Sequence, residues 1–425
     1  MRYSRLRTLV ATAAAAALVL TACSSDTDEP TDDATDATTT AEATEAAPTG
    51  AAETTAAATE EASGDPISVA VLTSSSGPLG AYGTQYIDGF EAGLAYATDG
   101  TNAVDGRPIE YEIIDDGGTP ETAISAATEI VGEGTTIVAG TVVSGVAAQL
   151  APFADENDIL YISGPAATDA ITGINDNTFR SGRQSWQDVT TAAALVDDVA
   201  NATIVVFAQD NAFGQANTAA VEAVLGSQGA TIEPVLVPDS ATEFTPFAQQ
   251  VLDVAPDLVF VAWAGETSGA MWQAMDQQGV LTDTAVATGL ADRATWPSLG
   301  AAGTNLNMLA HYFPTAPDNE VNQYLVDNVE APDLFTPDGF VAAQMIVQAV
   351  SEGSPEDVGS MIAALEGWSF EAPKGSQTVR ASDHAMLQPM FTASFETMDP
   401  DPANIEIALL DTLTAEDTAP PESAN

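Results

Sequence analysis

Basic residues are almost missing from this sequence: nine Lys and Arg stand against 62 Asp and Glu in 425 residues, a formal net charge of −53. A surface that negative repels phosphate backbones and anionic lipid headgroups, which excludes nucleic acid as a partner. Lys374 is the sole lysine, so a phosphate loop of the G-x-x-x-x-G-K-[ST] form is excluded as well. Histidine occurs only at His311 and His384, and cysteine only at Cys23. Zinc sites of the Cys/His kind and a disulfide framework go with them, and no metal or cofactor is expected. What is present is 45% hydrophobic residues, ample for a core, in a chain long enough for two or three domains.

Three of the scarce bases, Arg2, Arg5 and Arg7, precede a mostly apolar run from Leu9 to Leu20. A basic start, a short apolar stretch and small residues read as a secretory signal over 1–22. The run is too short to cross a hydrocarbon core of ~30 Å. Cleavage near Ala22 with Cys23 incidental is one reading. The other, adopted here, is that Leu20-Thr21-Ala22-Cys23 resembles the bacterial lipobox, which implies cleavage before Cys23 and acylation of that residue. Several acyl chains on one residue would hold the protein on a membrane stably, where a single chain is marginal. From Ser24 to Gly64 only Ser, Thr, Ala, Asp, Glu, Pro and Gly occur. Such a stretch buries no core, so 23–64 is expected to be a disordered acidic tether, reaching roughly 135 Å when stretched at ~3.3 Å per residue. A second disordered acidic tail is expected over 414–425.

Between these segments, strand-like runs alternate with helical ones. Ile67–Leu72, Ile109–Ile114, Thr136–Ala139, Ile159–Ile162, Ile204–Phe207, Leu258–Trp263 and Ala285–Ala287 read as short strands. Gln85–Ala97, Pro120–Val131, Val146–Asn157, Ser185–Val199, Phe213–Leu225 and Thr267–Gln278 carry helical spacing. This order predicts an α/β fold of two doubly wound lobes with parallel sheets. The expected division is lobe 1 over 65–184, lobe 2 over 185–312, a return to lobe 1 over 313–382 and a return to lobe 2 over 383–413. Helices near Phe340–Val350 and Val358–Glu366 and a strand near Gln388–Phe395 lie in those returns.

In such sheets a ligand sits beyond the carboxyl ends of the strands. The loops there are Ser74-Ser-Ser-Gly-Pro-Leu-Gly-Ala-Tyr-Gly83, Gly140-Thr-Val-Val-Ser-Gly145 and Ser163-Gly-Pro-Ala-Ala-Thr168. Glycines three apart do not make a G-x-G-x-x-G dinucleotide fingerprint. Small residues, hydroxyls and free amides at helix starts favour a carboxylate or other anion. Ser144 and Thr168 could instead simply cap their own helices.

Taken in order, Ser76-Gly-Pro-Leu-Gly-Ala-Tyr-Gly83, Asp115-Asp116, Gly140 to Ser144, Ser163 to Thr168, Phe179-Arg180, Gln209-Asp210 with Phe213-Gly214, and Ala255-Pro-Asp-Leu-Val-Phe260 resemble type I periplasmic binding proteins. They are similar to the leucine/isoleucine/valine-binding branch of ABC-transporter substrate-binding proteins, over about residues 66–400. The resemblance implies two lobes joined by three crossings that close on a small-molecule ligand. It also implies delivery to ABC-transporter permease subunits, no chemistry on the ligand, and a monomer on the outer face of the cytoplasmic membrane. It places Tyr82 where an aromatic ring stacks on the ligand. It places Ser144, Gly145, Ala166 and Thr168 where backbone and hydroxyl groups hold an α-carboxylate and ammonium, and Phe213 and Glu266 at positions of the second lobe. One departure matters: the loop expected to carry an acid for the ligand ammonium reads Thr288-Gly-Leu-Ala-Asp292, so Asp292 or Glu266 would have to substitute.

Other residues carry two readings each. Arg180 and Arg183 either bind an anionic ligand bidentately or pair with nearby acids. Trp186 and Trp263 either stack on a ligand or pack in the core, to which Trp272, Trp296 and Trp368 are assigned. Asp383-His384 reads as structural rather than as an acid/base pair, and Asp115-Asp116 as caps rather than metal ligands. A secreted α/β hydrolase is the alternative from another class, but no G-x-S-x-G elbow, metal cluster or cysteine nucleophile supports it. A binding fold coupled to a sensor is a third. The excess of acids resembles adaptation to high salt, where screening weakens self-repulsion.

Overall fold

The computed structural model describes residues 64–196 and 198–423. The signal segment 1–22, Cys23 and the tether up to residue 63 lie outside the described residues. Lobe 1 opens with β1 (Ile67–Thr73), α1 (Gly80–Ala97), β2 (Ala103–Val104), β3 (Arg107–Asp115) and α2 (Pro120–Gly132). It continues through β4 (Ile137–Ala139), α3 (Ser144–Asn157), β5 (Leu160–Ser163) and β6 (Thr178–Arg180). Lobe 2 holds α4 (Ser185–Ala193), β7 (Thr203–Gln209), α5 (Ala212–Val224), β8 (Thr231–Val237), α6 (Thr245–Val254) and β9 (Leu258–Ala262). It goes on with α7 (Ser268–Gln277), α8 (Val280–Asp283), β10 (Ala285–Gly289) and β11 (Asn307–Ala310). The chain then returns to lobe 1 with α9 (Glu320–Asn328), α10 (Thr336–Glu352), α11 (Val358–Leu365), β12 (Ser369–Ala372), β13 (Gly375–Val379) and β14 (Met386–Leu387). It ends in lobe 2 with β15 (Met390–Thr397) and β16 (Glu406–Leu413).

Period-two alternation explains why each sheet is covered on both faces. In β1, Val69 and Val71 face a core shared with Ile109, Ile137 and Leu160, whereas Ala70 and Leu72 join Val138 and Tyr161 on the other side. In lobe 2, Val205 and Phe207 face one core and Ile204, Val206 and Ala208 the other. The lobe 1 sheet has the order β2-β3-β1-β4-β5-β6, with β3, β1, β4, β5 and β6 parallel. The lobe 2 sheet runs β16-β15-β11-β10-β9-β7-β8. There β8, β7, β9, β10 and β11 are parallel, and β15 and β16 close the edge antiparallel. A small antiparallel sheet, β12-β13-β14, flanks lobe 1.

Three segments cross between the lobes: 181–184 after β6, 311–319 after β11, and 388–389 before β15. The crossings are held together by hydrogen bonds from neighbouring elements. Gln187 on α4 donates to the Met386 carbonyl at 3.1 Å, and Lys374 donates to Gln388 at 2.6 Å.

One packing contact deserves its residues, because it positions the site. Gly89 and Gly93 of α1 lie against the backbone of Thr336 and Phe340 in α10, so closely that a Cβ on Gly89 would meet the Thr336 oxygen at 1.8 Å. Gly339 approaches the Tyr86 carbonyl in the same way. This glycine contact fixes the start of α10 against the middle of α1, and Phe335, just before α10, thereby meets Tyr82 in the first turn of α1.

The expected free tail is corrected by the structure over 414–423. Arg380 donates to the Pro420 carbonyl at 2.7 Å, Thr418 is buried, and Ser423 donates to Asp383 and to the Thr172 carbonyl. Backbone carbonyls, small hydroxyls and the buried Pro420 seat it on the body, with no run of large apolar side chains to announce order in its composition.

Candidate functional site

Strand order reverses between β1 and β4 in lobe 1 and between β7 and β9 in lobe 2, and the four loops at these two points face one another across the cleft. They enclose an outer cavity of about 310 Å³, lined by Leu79, Val143, Ser144 and Gly145 from lobe 1 and by Asn211, Phe213, Ala264 and Glu266 from lobe 2. Phe335, from the returning chain, completes it. A smaller inner cavity of about 60 Å³ continues toward the crossings between Phe213, Trp263, Leu290, Asp188 and His311. Tyr82, Arg183, Phe213, Ala264 and Phe335 line both.

The loop ends are fixed from beneath by Asp116. This fully buried carboxylate accepts from Ser74 Oγ at 2.6 Å, from the Gly118 amide at 2.8 Å and from Thr141 Oγ1, joining the loops after β1, β3 and β4. Asp115 beside it accepts from the Ser75 amide and from Ser76 Oγ. The acid pair is therefore scaffolding, and among the described residues no cluster of His, Cys, Asp and Glu could hold a metal ion.

Tyr82 reaches across the cleft. Its ring meets Phe335 edge-on with centroids 4.9 Å apart, its hydroxyl donates to Asp292 Oδ2 at 3.2 Å, and the Gly265 amide donates to that hydroxyl at 3.3 Å. Both partners belong to lobe 2. A second bridge runs from the Arg293 amide in lobe 2 to Asp333 at 2.9 Å, and Gln85 of α1 reaches the same carboxylate. Burial pushes Asp333 up to about 6.

The floor of the cleft is charged. Arg183, on the first crossing and only 3% exposed, donates through Nε to His311 Nε2 at 3.0 Å and through Nη1 to the Pro165 carbonyl at 2.5 Å. Asp188 Oδ1 lies 3.4 Å from Arg183 Nε and 3.0 Å from His311 Nε2. The ring nitrogen serves one neighbour at a time: without a proton, Nε2 accepts from Arg183; carrying one, it donates to Asp188. Burial, and then the charge of Arg183, lower His311 to about 4, so the neutral ring prevails at pH 7. Burial opposes ionisation of Asp188, yet Arg183 and then His311 hold its carboxyl below the usual range. Farther in, Arg180 donates to the carbonyls of Arg183 and Thr168. Burial lowers it to about 10, which still leaves it charged.

The structure thus gathers Tyr82, Ser144, Gly145, Phe213, Glu266 and Arg183 around one space and leaves three expected residues out of it. Ala166 packs in the lobe 1 core, because the chain after β5 alternates and presents Pro165 and Ala167 to the cavity instead. Thr168 Oγ1 accepts from the Ala170 amide, the capping role. Asp292 lines neither cavity, since Tyr82 and Thr295 occupy its oxygens. Trp263 lines the inner cavity and donates to Thr267, whereas Trp186 packs against the lobe 2 core. His384 stacks on Phe179 at 3.8 Å, and Asp383 pairs with Arg380 at 2.6 Å. Phe335, Asp188 and His311 had no local signal as cleft residues. The one available clue was Phe335-Thr336-Pro337, a proline in a first helical turn that marks where α10 begins.

Known proteins share this architecture. A family model described as periplasmic binding protein matches residues 66–399. The Leu/Ile/Val-binding protein homolog 3 of Brucella melitensis is 24% identical over 324 residues, covering 73% of this chain and 86% of the relative. A solved structure of an ABC-type branched-chain amino acid transporter protein from Rhodopseudomonas palustris is 32% identical with a TM-score of 0.70, covering 84% of this chain and 100% of that one. A solute binding protein of an ABC transporter from R. palustris, in complex with 4-hydroxybenzoate, is 20% identical with a TM-score of 0.75 and covers 82% and 97%, a likeness of fold. Two facing doubly wound lobes, a cleft at both switch points and a match over most of the chain place this protein in the type I periplasmic binding protein family.

Proposed function

We propose that this chain is a lipid-anchored, extracytoplasmic solute-binding protein that captures a small organic solute between its lobes and hands it to the permease of an ABC transporter. The observation that carries the reading is the cavity itself: it is walled by both lobes and a crossing, and one hydroxyl, that of Tyr82, bonds from one lobe to the other. A solute that fills such a space stabilises the closed form by its contacts with both walls. The groups around it suit holding, not chemistry: His311 is engaged by Arg183 and Asp188. The Brucella relative is named for leucine, isoleucine and valine and the Rhodopseudomonas neighbour holds 4-hydroxybenzoate, all small carboxylates with an apolar body. Residues 1–22 would direct export, Cys23 would carry the lipid, and 23–64 would tether a monomeric body near its permease.

A thermal-shift screen of small carboxylates, amino acids, amides and sugars tests the capture. A ligand at 100 times its Kd adds about 2.7 kcal/mol, a shift of several degrees. The expected result is a shift with one class whose members are recovered unchanged; a probe consumed during the assay would refute the reading. Membrane fractionation tests the anchor: Cys23→Ala should move the protein from the membrane to the medium.

A further inference from the structure

We propose that the solute is a monocarboxylate with an uncharged apolar body and no ammonium group, its carboxylate held by Arg183 and its body enclosed by Tyr82, Phe213 and Phe335. The inference rests on the solute-capture reading above and narrows it to a chemical class.

Arg183 has a donor to spare. Its Nε and Nη1 are engaged by His311 and Pro165, but among the described residues Nη2 has no hydrogen-bond partner, and the side chain lines both cavities. A guanidinium this deeply buried is weakly screened, and a charge-assisted bond to a carboxylate there is strong. The α3 N-terminus adds to the preference. Val143 supplies no side-chain cap, so the amides of Ser144 and Gly145 face the outer cavity as free donors. With Ala166 and Thr168 turned away, Arg183 takes over the anion-holding role expected of them.

A ligand ammonium finds no comparable acceptor. Asp188, the one carboxylate among the described residues lining the inner cavity, is already paired with Arg183, whose positive charge outweighs its burial, and its Oδ1 lies 3.0 Å from His311 Nε2. Asp292 is turned to Tyr82. Glu266 and Asp239 line the outer cavity but are exposed at its mouth, where water already solvates them. The apolar part of the wall comes from Leu79, Val143, Leu290 and the three rings named above, and the neutral polar side chains of Gln209, Asn211, Asn217 and Thr267 complete the lining.

Matched probes decide it by titration calorimetry on the full-length chain. L-leucine is compared with 4-methylpentanoate and L-phenylalanine with 3-phenylpropanoate, pairs that differ only in the ammonium, and each acid with its primary amide. At least one acid is expected to bind tenfold or more tighter than both its amino acid and its amide. Arg183→Gln should abolish that preference over the amide. If this variant does not fold, the matched probes on the unaltered chain still decide. An amino acid binding as tightly as its des-amino partner, or no acid outbinding its amide, would overturn the carboxylate class. Binding by amino acids alone would overturn the class and leave solute capture standing; hydrolysis of an amide probe during titration would sink the capture reading itself.

Discussion

The outer surface and the junction between the lobes treat charge in opposite ways. Among the described residues, the outer parts carry many acids and three bases: Arg107, paired with Glu356, Arg380, paired with Asp383, and Arg293, lying over the Trp296 ring. The junction holds Arg180, Arg183 and Lys374, all nearly fully buried, against Asp169, Asp188 and Asp338. A chain with so few bases places half of those in its described body where water is excluded. Burying a charge is costly unless it is compensated, so bases kept in the interior mark where compensation matters. Lys374 illustrates it. Burial lowers its pKa while Asp338 opposes the shift, and its ammonium is hydrogen-bonded to Gln388 of the third crossing.

The contrast can be broken most directly at Arg183. Arg183→Gln leaves Asp188 buried beside a neutral His311, and losing one partner of such a pair costs about 3–5 kcal/mol. Urea unfolding should show that loss, and Arg183→Gln with Asp188→Asn should recover much of it. A double variant no more stable than the single would show that Asp188 is not what Arg183 compensates. The second test is the pH limb set by His311. Its folded pKa of about 4 lies below the ordinary 6.5, so the unfolded chain takes up a proton first as pH falls. Its contribution is complete above about 6.5 and is lost toward pH 4, on the order of 3 kcal/mol over that window. Asp333, raised to about 6, works in the opposite direction there, so the measured quantity is wild type minus His311→Gln. A difference that does not change between pH 7 and 4 would contradict the assignment.

How far the sequence disclosed this molecule depended on which interactions set each part. The lobe centres were legible because β1, β7 and β9 carry apolar residues on both faces. The edge strands were not. β8 contains Pro234 and buries only Val235 and Val237, and β16 buries none of its residues, so neither shows a buried strand's pattern. In the site, Tyr82, Ser144, Gly145 and Phe213 could be located because they sit next to loops at strand ends. Phe335 and His311 come from the returning chain and the second crossing, and Asp188 from the first turn of α4. No spacing along the chain says that they meet. Ala166 and Thr168 show the converse: a correctly located loop, but a turn whose alternation only coordinates disclose.

A smaller effect is expected at the bridge between lobes. Tyr82→Phe keeps the ring against Phe335 and removes one hydroxyl shared by Asp292 and Gly265, worth about 1 kcal/mol by the usual value of a hydrogen bond. Stability should change little, and the solute-free molecule should become more open, read as a larger radius of gyration by solution scattering. An unchanged radius would mean that the Arg293–Asp333 bridge and packing hold the lobes without the hydroxyl.

The smallest effects belong to the surface, and they separate the two regions by salt. Exposed acids repel one another through water, so their mutual repulsion falls as ionic strength rises, whereas charges at the buried junction are screened far less. Lowering salt from molar to millimolar should therefore reduce the melting temperature of the whole body, the behaviour of a salt-adapted protein. It should leave the penalty of Arg183→Gln nearly unchanged. Glu110→Gln with Glu112→Gln, both exposed on β3, should raise the midpoint slightly in low salt and not at all in molar salt. If the Arg183→Gln penalty shrank with salt as strongly as the surface effect, the junction would be as well solvated as the surface, and the contrast between them would fail.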